Sequence, residues 1–317
     1  MTFSYTIRRI LVSIPTVLLV VLMVFLAIHL VPGTVVDMVL GTQNYLTEEQ
    51  IKDLYRQYGL DKPLIVQYFL WLRNVVVFEF GVSLRTGKPV LQLILSRLPV
   101  TLELAVLSMT IALSLGIVLG VTAAVKKDSF VDDVIRLFSL IGISSPAFWI
   151  GAIFIVLFSG LFKGFNIFGY VPFNQDILKN IQSMLLPSLT LGLMICAQIV
   201  RISRSSMLDA LRQEYIKTAK AKGVSRSALI FKHALKNALI PVITISGIQL
   251  GYLIGGTIVV ENLFALPGLG RLLLQAVNER DYPVVQSIVL FVAVMIVLLN
   301  ILIDFIYTLV DPRVELK

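Results

Sequence analysis

The segment "GVSLRTGKP", Gly81 to Pro89, is where this chain comes nearest to a motif with chemistry of its own. A phosphate-binding loop holds four residues between its glycines and a Ser or Thr after the lysine, so that backbone amides cradle phosphate and the hydroxyl meets magnesium. Here five residues separate Gly81 from Gly87, and proline follows Lys88, so the pattern fails. No HExxH or GxSxG pattern occurs, and His29, His233 and the single Cys196 form no group at metal-ligand spacing. One cysteine also excludes an intrachain disulfide. The chain therefore reads as a non-enzyme with no cofactor or metal site of its own.

What remains are charges placed inside apolar sequence. Asn300, Asp304, Tyr307 and Asp311 stand at i, i+4, i+7 and i+11, one face of a helix. An ionised carboxylate in hydrocarbon is costly and turns toward a partner or water, so Asp304 is expected to pair with Arg136 or Arg201. Glu103 either reaches the headgroups or lines a path. An ion-coupled carrier would use Asp304 and Glu103 as its coupling carboxylates, and that reading stands as an alternative.

These residues need elements to hold them, and the composition says which. Of 317 residues 57% are hydrophobic, and the mean hydropathy is +0.90. Runs of about 20 apolar residues are the mark of bilayer spans. Six are read, at 10–31, 98–125, 134–162, 184–202, 238–260 and 284–310, the third able to kink at Pro146. The expected fold class is an all-α polytopic membrane protein with one transmembrane domain. Arg8 and Arg9 precede the first run, which at about 20 residues is too long for a secretory leader and reads as a retained span.

The charge of +8 follows the loops. With the N-terminus inside, segments 1–9, 126–133, 203–237 and 311–317 hold 14 Lys and Arg in 59 residues, against 11 in 110 for the outer segments. Basic residues concentrate on cytoplasmic loops, so both termini are placed in the cytoplasm, and the basic pI of about 9.6 calls for no nucleic acid. The outer segment 32–97 is patterned for surface helices. "LTEEQIKDLYRQYGL" has Thr47 as its cap and Gly59 as its stop, and "PLIVQYFLWLRNVVV" presents Tyr68 and Trp71 to the interface. Gly116 and Gly120, and then Gly247, Gly251 and Gly255, recur every four residues, a spacing that lets helices approach closely or line a path.

The segment 203–237 is the longest one expected inside, and "EYIKTAKAKGVSRSALIFKHALKNALIP" within it is strongly basic. It reads as two short helices joined at Gly223, the second capped by Ser225, making a knob on the inner face. Charge alone would allow a lipid-resting anchor. The passage resembles the cytoplasmic loop of ABC importer permeases, whose pattern runs E-A-A, three residues, G, nine residues, I, one residue, L, P. Set on Gly223 it matches at Ala219 and Leu235, and departs at Lys217, Thr218, His233 and Lys236. "YIKTAKAKG" followed by "KHALKNALIPV" is similar to the variant of the dipeptide, oligopeptide and nickel branch. So are "IRRILVSIPT", "YGLDKPLIVQY", "RISRSSMLDAL", "ENLFALPGLGRLLLQAVNERDYPVVQ" and "DFIYTLVDPRV", which together cover nearly the full length; "VPGTVVD" departs from the Pro-Gly-Asp-Pro often found there.

The resemblance implies a type I importer permease in a bacterial or archaeal cytoplasmic membrane. A second homologous permease completes the path, two ATP-binding subunits carry ATP and Mg, and an extracytoplasmic binding protein delivers peptide, with nickel chelate or oligosaccharide as alternative cargo. It further implies that Tyr215, Thr218, Ala219, Ala221 and Gly223 meet an ATPase groove.

Overall fold

A computed structural model describes residues 3–30, 48–57, 59–162 and 164–310. Thr47, the turn after the first span and Asp311 lie outside them, as does the side chain of Tyr307. Every regular element among the described residues is helical, and a lone bridge pairs Val82 with Pro89. In chain order the helices are α1 (Phe3–Leu30), α2 (Glu48–Gln57), α3 (Leu64–Val76), α4 (Val90–Val125), α5 (Phe130–Ser144), α6 (Ala147–Leu161), α7 (Ile177–Leu211) and α8 (Glu214–Ala221). Then α9 (Arg226–Ala228) runs through a π-helical stretch (Leu229–Ala234) into α10 (Leu235–Gly256), and after it come α11 (Ile258–Leu263), α12 (Leu269–Asn278) and α13 (Tyr282–Val310).

Five helical segments are long and apolar enough to cross a membrane, and a sixth span results if α5 and α6 are counted together. That third span is not the continuous run expected over 134–162. It breaks at Pro146 with a bend of 107° between its halves. The cause is local: proline clashes with an α conformation in the residue before it, and Ser145 is extended at φ −89°, ψ 131°. Each half has 15 residues, about 22 Å, too short to cross about 30 Å of hydrocarbon alone. The fifth span also differs, since α10 ends at Gly256 short of residue 260 and begins in the same helix that leaves Ser225. The second half of the knob is thus the first turns of a span.

The centre of the fold is the seam between α4 and α7. A Cβ on Gly116 would lie 2.6 Å from Ile199 Cγ2, and one on Gly120 would lie 2.5 Å from Ser203 Cβ and 2.8 Å from the Val200 carbonyl. Bare glycine there lets the helices meet along backbone, with Leu104, Ala112, Met184, Ile195 and Ile199 buried around the contact. Gly247 of α10 makes room instead for a side chain, since a Cβ there would lie 2.5 Å from Ile303 Cδ1 of α13. Gly251 does not: a Cβ there meets nothing within 4 Å, and at Gly255 only Val292, at 3.7 Å. The four-residue spacing marks a face, yet only its N-terminal end, at Gly247, is packed.

Helix α3 turns Tyr68 and Trp71 toward the first span. Tyr68 is buried against Phe25 of α1, its ring 5.3 Å away, and its hydroxyl donates to the Leu18 carbonyl at 3.4 Å. Ile65, Phe69, Val76, Val77 and Phe78 are exposed in their place. The interfacial reading of Tyr68 and Trp71 is therefore corrected: both pack on the first span.

Gly120→Ala should lower the unfolding midpoint in detergent markedly, since a methyl forced against backbone costs about 1–3 kcal/mol. Gly251→Ala should leave the midpoint unchanged or raise it. Equal effects from the two variants would contradict this assignment of the seam.

Candidate functional site

The knob is built by short-range signals. Helix α8 follows α7 after a gap of two residues and carries Glu214 in its first turn and Lys220 in its last, the signs that its dipole favours. It ends in a Schellman motif: Val224 N donates to Ala219 O at 3.2 Å and Gly223 N to Lys220 O at 3.0 Å. Gly223 sits at φ +79°, where a side chain is strained. Ser225 Oγ then accepts from Ala228 N at 3.4 Å and opens the next helix.

Two faces of α8 divide the candidate contacts. Ile216 is buried and Ala219 half-buried, packed with Met207, Leu229 and Ala234 in a cluster that joins α8 to α7 and α10. Tyr215, Thr218, Ala221 and Gly223 are exposed, along with Lys217, Lys220 and Lys222. Tyr215 is also tied from above, its hydroxyl accepting from Asn237 Nδ2 at 2.8 Å. Ala219 thus holds the knob to the protein, Tyr215 is exposed but anchored at its hydroxyl, and Thr218, Ala221 and Gly223 are open to the surface.

A buried ion pair fixes the same end. Arg204 of α7 meets Asp132 of α5 with Nε and Nη2 each 2.7 Å from a carboxylate oxygen, and Asp132 is fully buried. This bidentate geometry is the one that justifies burying a carboxylate. Asp128 N adds a third donor at 3.1 Å.

The expected partners of Asp304 are corrected. Asp304 pairs with Arg9 at 3.1 Å, and Arg136 lies by Asp133 at 3.4 Å. Helices α1 and α13 pack together, which brings the N-terminal turns of one beside the C-terminal turns of the other. Arg201 is exposed, and among the described residues no carboxylate lies within 4.0 Å of it. Glu103 accepts from the Tyr170 hydroxyl at 2.7 Å, at the opposite end of the spans. Burial and then this bond push the Tyr170 phenol up to about 12. Asn300 lines a cleft between α1 and α13 with Arg9, Ser13 and Thr16. Mid-span, Gln249 donates to Gln198 across α10 and α7.

Asp132 escaped sequence reasoning, and so did two further buried carboxyls. Glu261 has no accessible surface. Its Oε1 accepts from Thr101 at 2.8 Å and Thr257 at 2.7 Å, and its Oε2 from Arg271 N at 2.8 Å. Thr101 Oγ1 in turn accepts from Leu269 N at 2.8 Å. The group caps α12 across space and ties it to α4; a Cβ on Gly268 would collide with the carboxylate. The only sequence signal was Thr257 four residues before Glu261, a spacing that brings side chains together on a helix. Asp281 is the second, accepting from Ser83 Oγ at 2.5 Å, Leu84 N at 3.1 Å and Arg85 N at 3.5 Å. The loop that failed as a phosphate site does hold an anion, and it is this chain's own carboxylate.

A chain with these long glycine-seamed helices, broken third span and exposed helical knob has relatives among known proteins. The model of the binding-protein-dependent transport system inner membrane component matches residues 116–316, and its N-terminal companion matches 2–105. The chain belongs to this family. A Brucella melitensis protein named as a peptide transport system permease is 40% identical over 99% of both chains. The glutathione transport system permease protein of Salmonella choleraesuis is 40% identical over the same shares. Among solved structures, a chain of the MetNI methionine ABC transporter is similar with a TM-score of 0.57 at 17% identity, covering 71% of this chain and all of that one.

The protein is therefore an ABC transporter permease with the type I, MetI-like fold, a multi-pass transport component and not an enzyme. Such a permease works in a complex with partner subunits. Its two ends differ in how they are held: an exposed knob at one, and carboxyls sealed by hydroxyl and amide donors at the other.

Glu261→Gln in the purified permease should lower the unfolding midpoint, because an amide N–H would then face the donors that the carboxyl now accepts. The loss of a buried partner costs about 1–3 kcal/mol. Thr101→Val should do likewise by orphaning Leu269 N, and wild-type midpoints for both would contradict the network.

Proposed function

We propose that this permease forms, with a second homologous permease, the path by which an ATP-driven importer takes up short peptides. The relatives named for peptide and for glutathione match end to end at 40% identity, which supports a peptide cargo over a nickel chelate or an oligosaccharide. An extracytoplasmic binding protein delivers the peptide, and two ATP-binding subunits, which carry ATP and Mg, seat beneath the knob. The membrane is the cytoplasmic one and both termini lie in the cytoplasm. The density of Lys and Arg supports that orientation, and the Arg9–Asp304 pair fits termini that share a side.

One observation carries the mechanical reading. The outward face of α8, with Tyr215, Thr218 and Ala221, is set on a rigid mount: a Schellman turn at Gly223 below and the buried Ile216 and half-buried Ala219 behind. A groove of the ATPase seats that face when ATP closes the ATPase pair. Because α8 leaves directly from α7 and returns into α10, its displacement moves two spans at once. The exposed lysines favour an acidic rim and raise the docking rate. On α10, Thr244, Ile248, Tyr252 and Gly255 are exposed on a face that Gly251 shares, and this is the surface we assign to the path or the second permease. An ion-coupled carrier is disfavoured, because Asp304 and Glu103 have partners of their own at opposite ends.

Ala221→Trp fills the docking face and leaves the buried face alone. Peptide uptake and peptide-stimulated ATP hydrolysis by the reconstituted transporter should fall about tenfold, within the range that coupling energies of about 1–3 kcal/mol span. Yield and assembly of the permease in the membrane should stay at wild-type levels. Full coupling in this variant would overturn the assignment.

A further inference from the structure

A cleft of about 640 Å³ opens along the seam of α5 and α7, with no residue of α8 in its lining. Its lining changes along its length. Leu137, Leu140, Ile143 and Val200 line it toward the middle of the spans, and Arg136, Arg201, Arg204, Ser205 and Asp133 toward the end that carries the knob. The two helices close over its apolar end, where Ser139 Oγ donates to the Ala197 carbonyl at 2.6 Å and a Cβ on Gly142 would lie 2.6 Å from Ala197 Cβ. At the other end the Asp132–Arg204 pair bridges them again.

The charges there do not balance. Arg204 is committed to Asp132. Arg136 has a loose partner in Asp133 at 3.4 Å, with both side chains more than half exposed. Arg201 has no carboxylate among the described residues, although it stands one residue inside the end of the apolar run at 184–202. A cation at the hydrocarbon boundary calls for an anion or for water. An apolar groove leading away from two accessible guanidiniums, with serine beside them, has the polarity of one molecule class: a phospholipid with an anionic headgroup.

We propose that this cleft binds an anionic phospholipid, its phosphate between Arg136 and Arg201 and an acyl chain against Leu137, Leu140 and Ile143. Arginine suits the phosphate because its planar fork takes two oxygens at once. The leaflet is the inner one under the orientation proposed above, whereas the binding itself does not depend on that orientation. The site ties the bend region of α5 to the bilayer next to the α7 helix that carries the knob.

The test uses full-length permease, delipidated in detergent and measured by native mass spectrometry with added lipid. Phosphatidylglycerol should bind in preference to phosphatidylcholine, and Arg201→Gln should weaken phosphatidylglycerol about fivefold, the factor expected for one basic residue at an anionic headgroup. Arg136→Gln should do the same, while Arg73→Gln on α3 should not. Glycerol 3-phosphate at the same concentration should fail to displace the lipid, since it lacks the chain that the groove holds. Equal binding of the two lipids, no loss in Arg201→Gln, or displacement by glycerol 3-phosphate alone would each overturn the proposal. Arg201 is exposed, so its replacement leaves the fold intact; an unchanged unfolding midpoint checks that.

Discussion

The permease depends on the close approach of α4 and α7. At 36 and 35 residues, each is about 50 Å long, longer than a bilayer core requires. The excess puts the same pair of rods at both faces of the membrane. Gly116 and Gly120 allow that pair to pack along backbone, and a well-packed interior behaves as a stiff body with few arrangements. Whatever displaces the knob end of α7 must therefore displace its neighbours too.

Around that seam, carboxyls act as fasteners. Asp132 fastens α5 to α7 through a bidentate arginine, Asp281 fastens the Gly81–Pro89 loop to the start of α13, and Glu261 fastens α12 to α4. Two of the three rely on amide and hydroxyl donors with no cation, a solution that orients by geometry more than by charge. Each fastener lies near one end of the spans, where chain direction changes and helix ends need acceptors or donors. The middle is held by apolar packing with one amide pair between Gln198 and Gln249.

Features set by periodicity and composition were legible in the sequence. The long apolar runs, the helix stop at Gly223 and the cap at Ser225 are local effects, and local chemistry decides them. The break at Pro146 was visible as a possibility, but its 107° angle depends on what the two halves pack against. The pairing of Asp304 with Arg9 was hidden because about 295 residues separate them in the chain, and only the packing of α1 on α13 brings them together. Helix ends at Phe78, Ala265 and Arg280 were hidden for another reason. All three adopt positive φ without glycine and complete the same Schellman pattern that Gly223 announces, so the backbone hydrogen bonds of the motif form at residue types that disfavour its conformation. The division of α8 into a seated and a free face likewise needed the structure, since Ala219 and Ala221 are alike in type and differ only in what lies beneath them.

The central claim is that the knob and α7 move as one body when the transporter turns over. Electron paramagnetic resonance distances in the reconstituted transporter test it most directly, with spin labels at Lys220 and Ser205 of the permease and a further pair joining Lys220 to its counterpart on the homologous permease proposed to complete the path. Adding ATP should leave the Lys220–Ser205 distribution in place while the distance between the two knobs shortens. A Lys220–Ser205 distribution that shifts or broadens with ATP, with the spacing between knobs constant, would contradict the account.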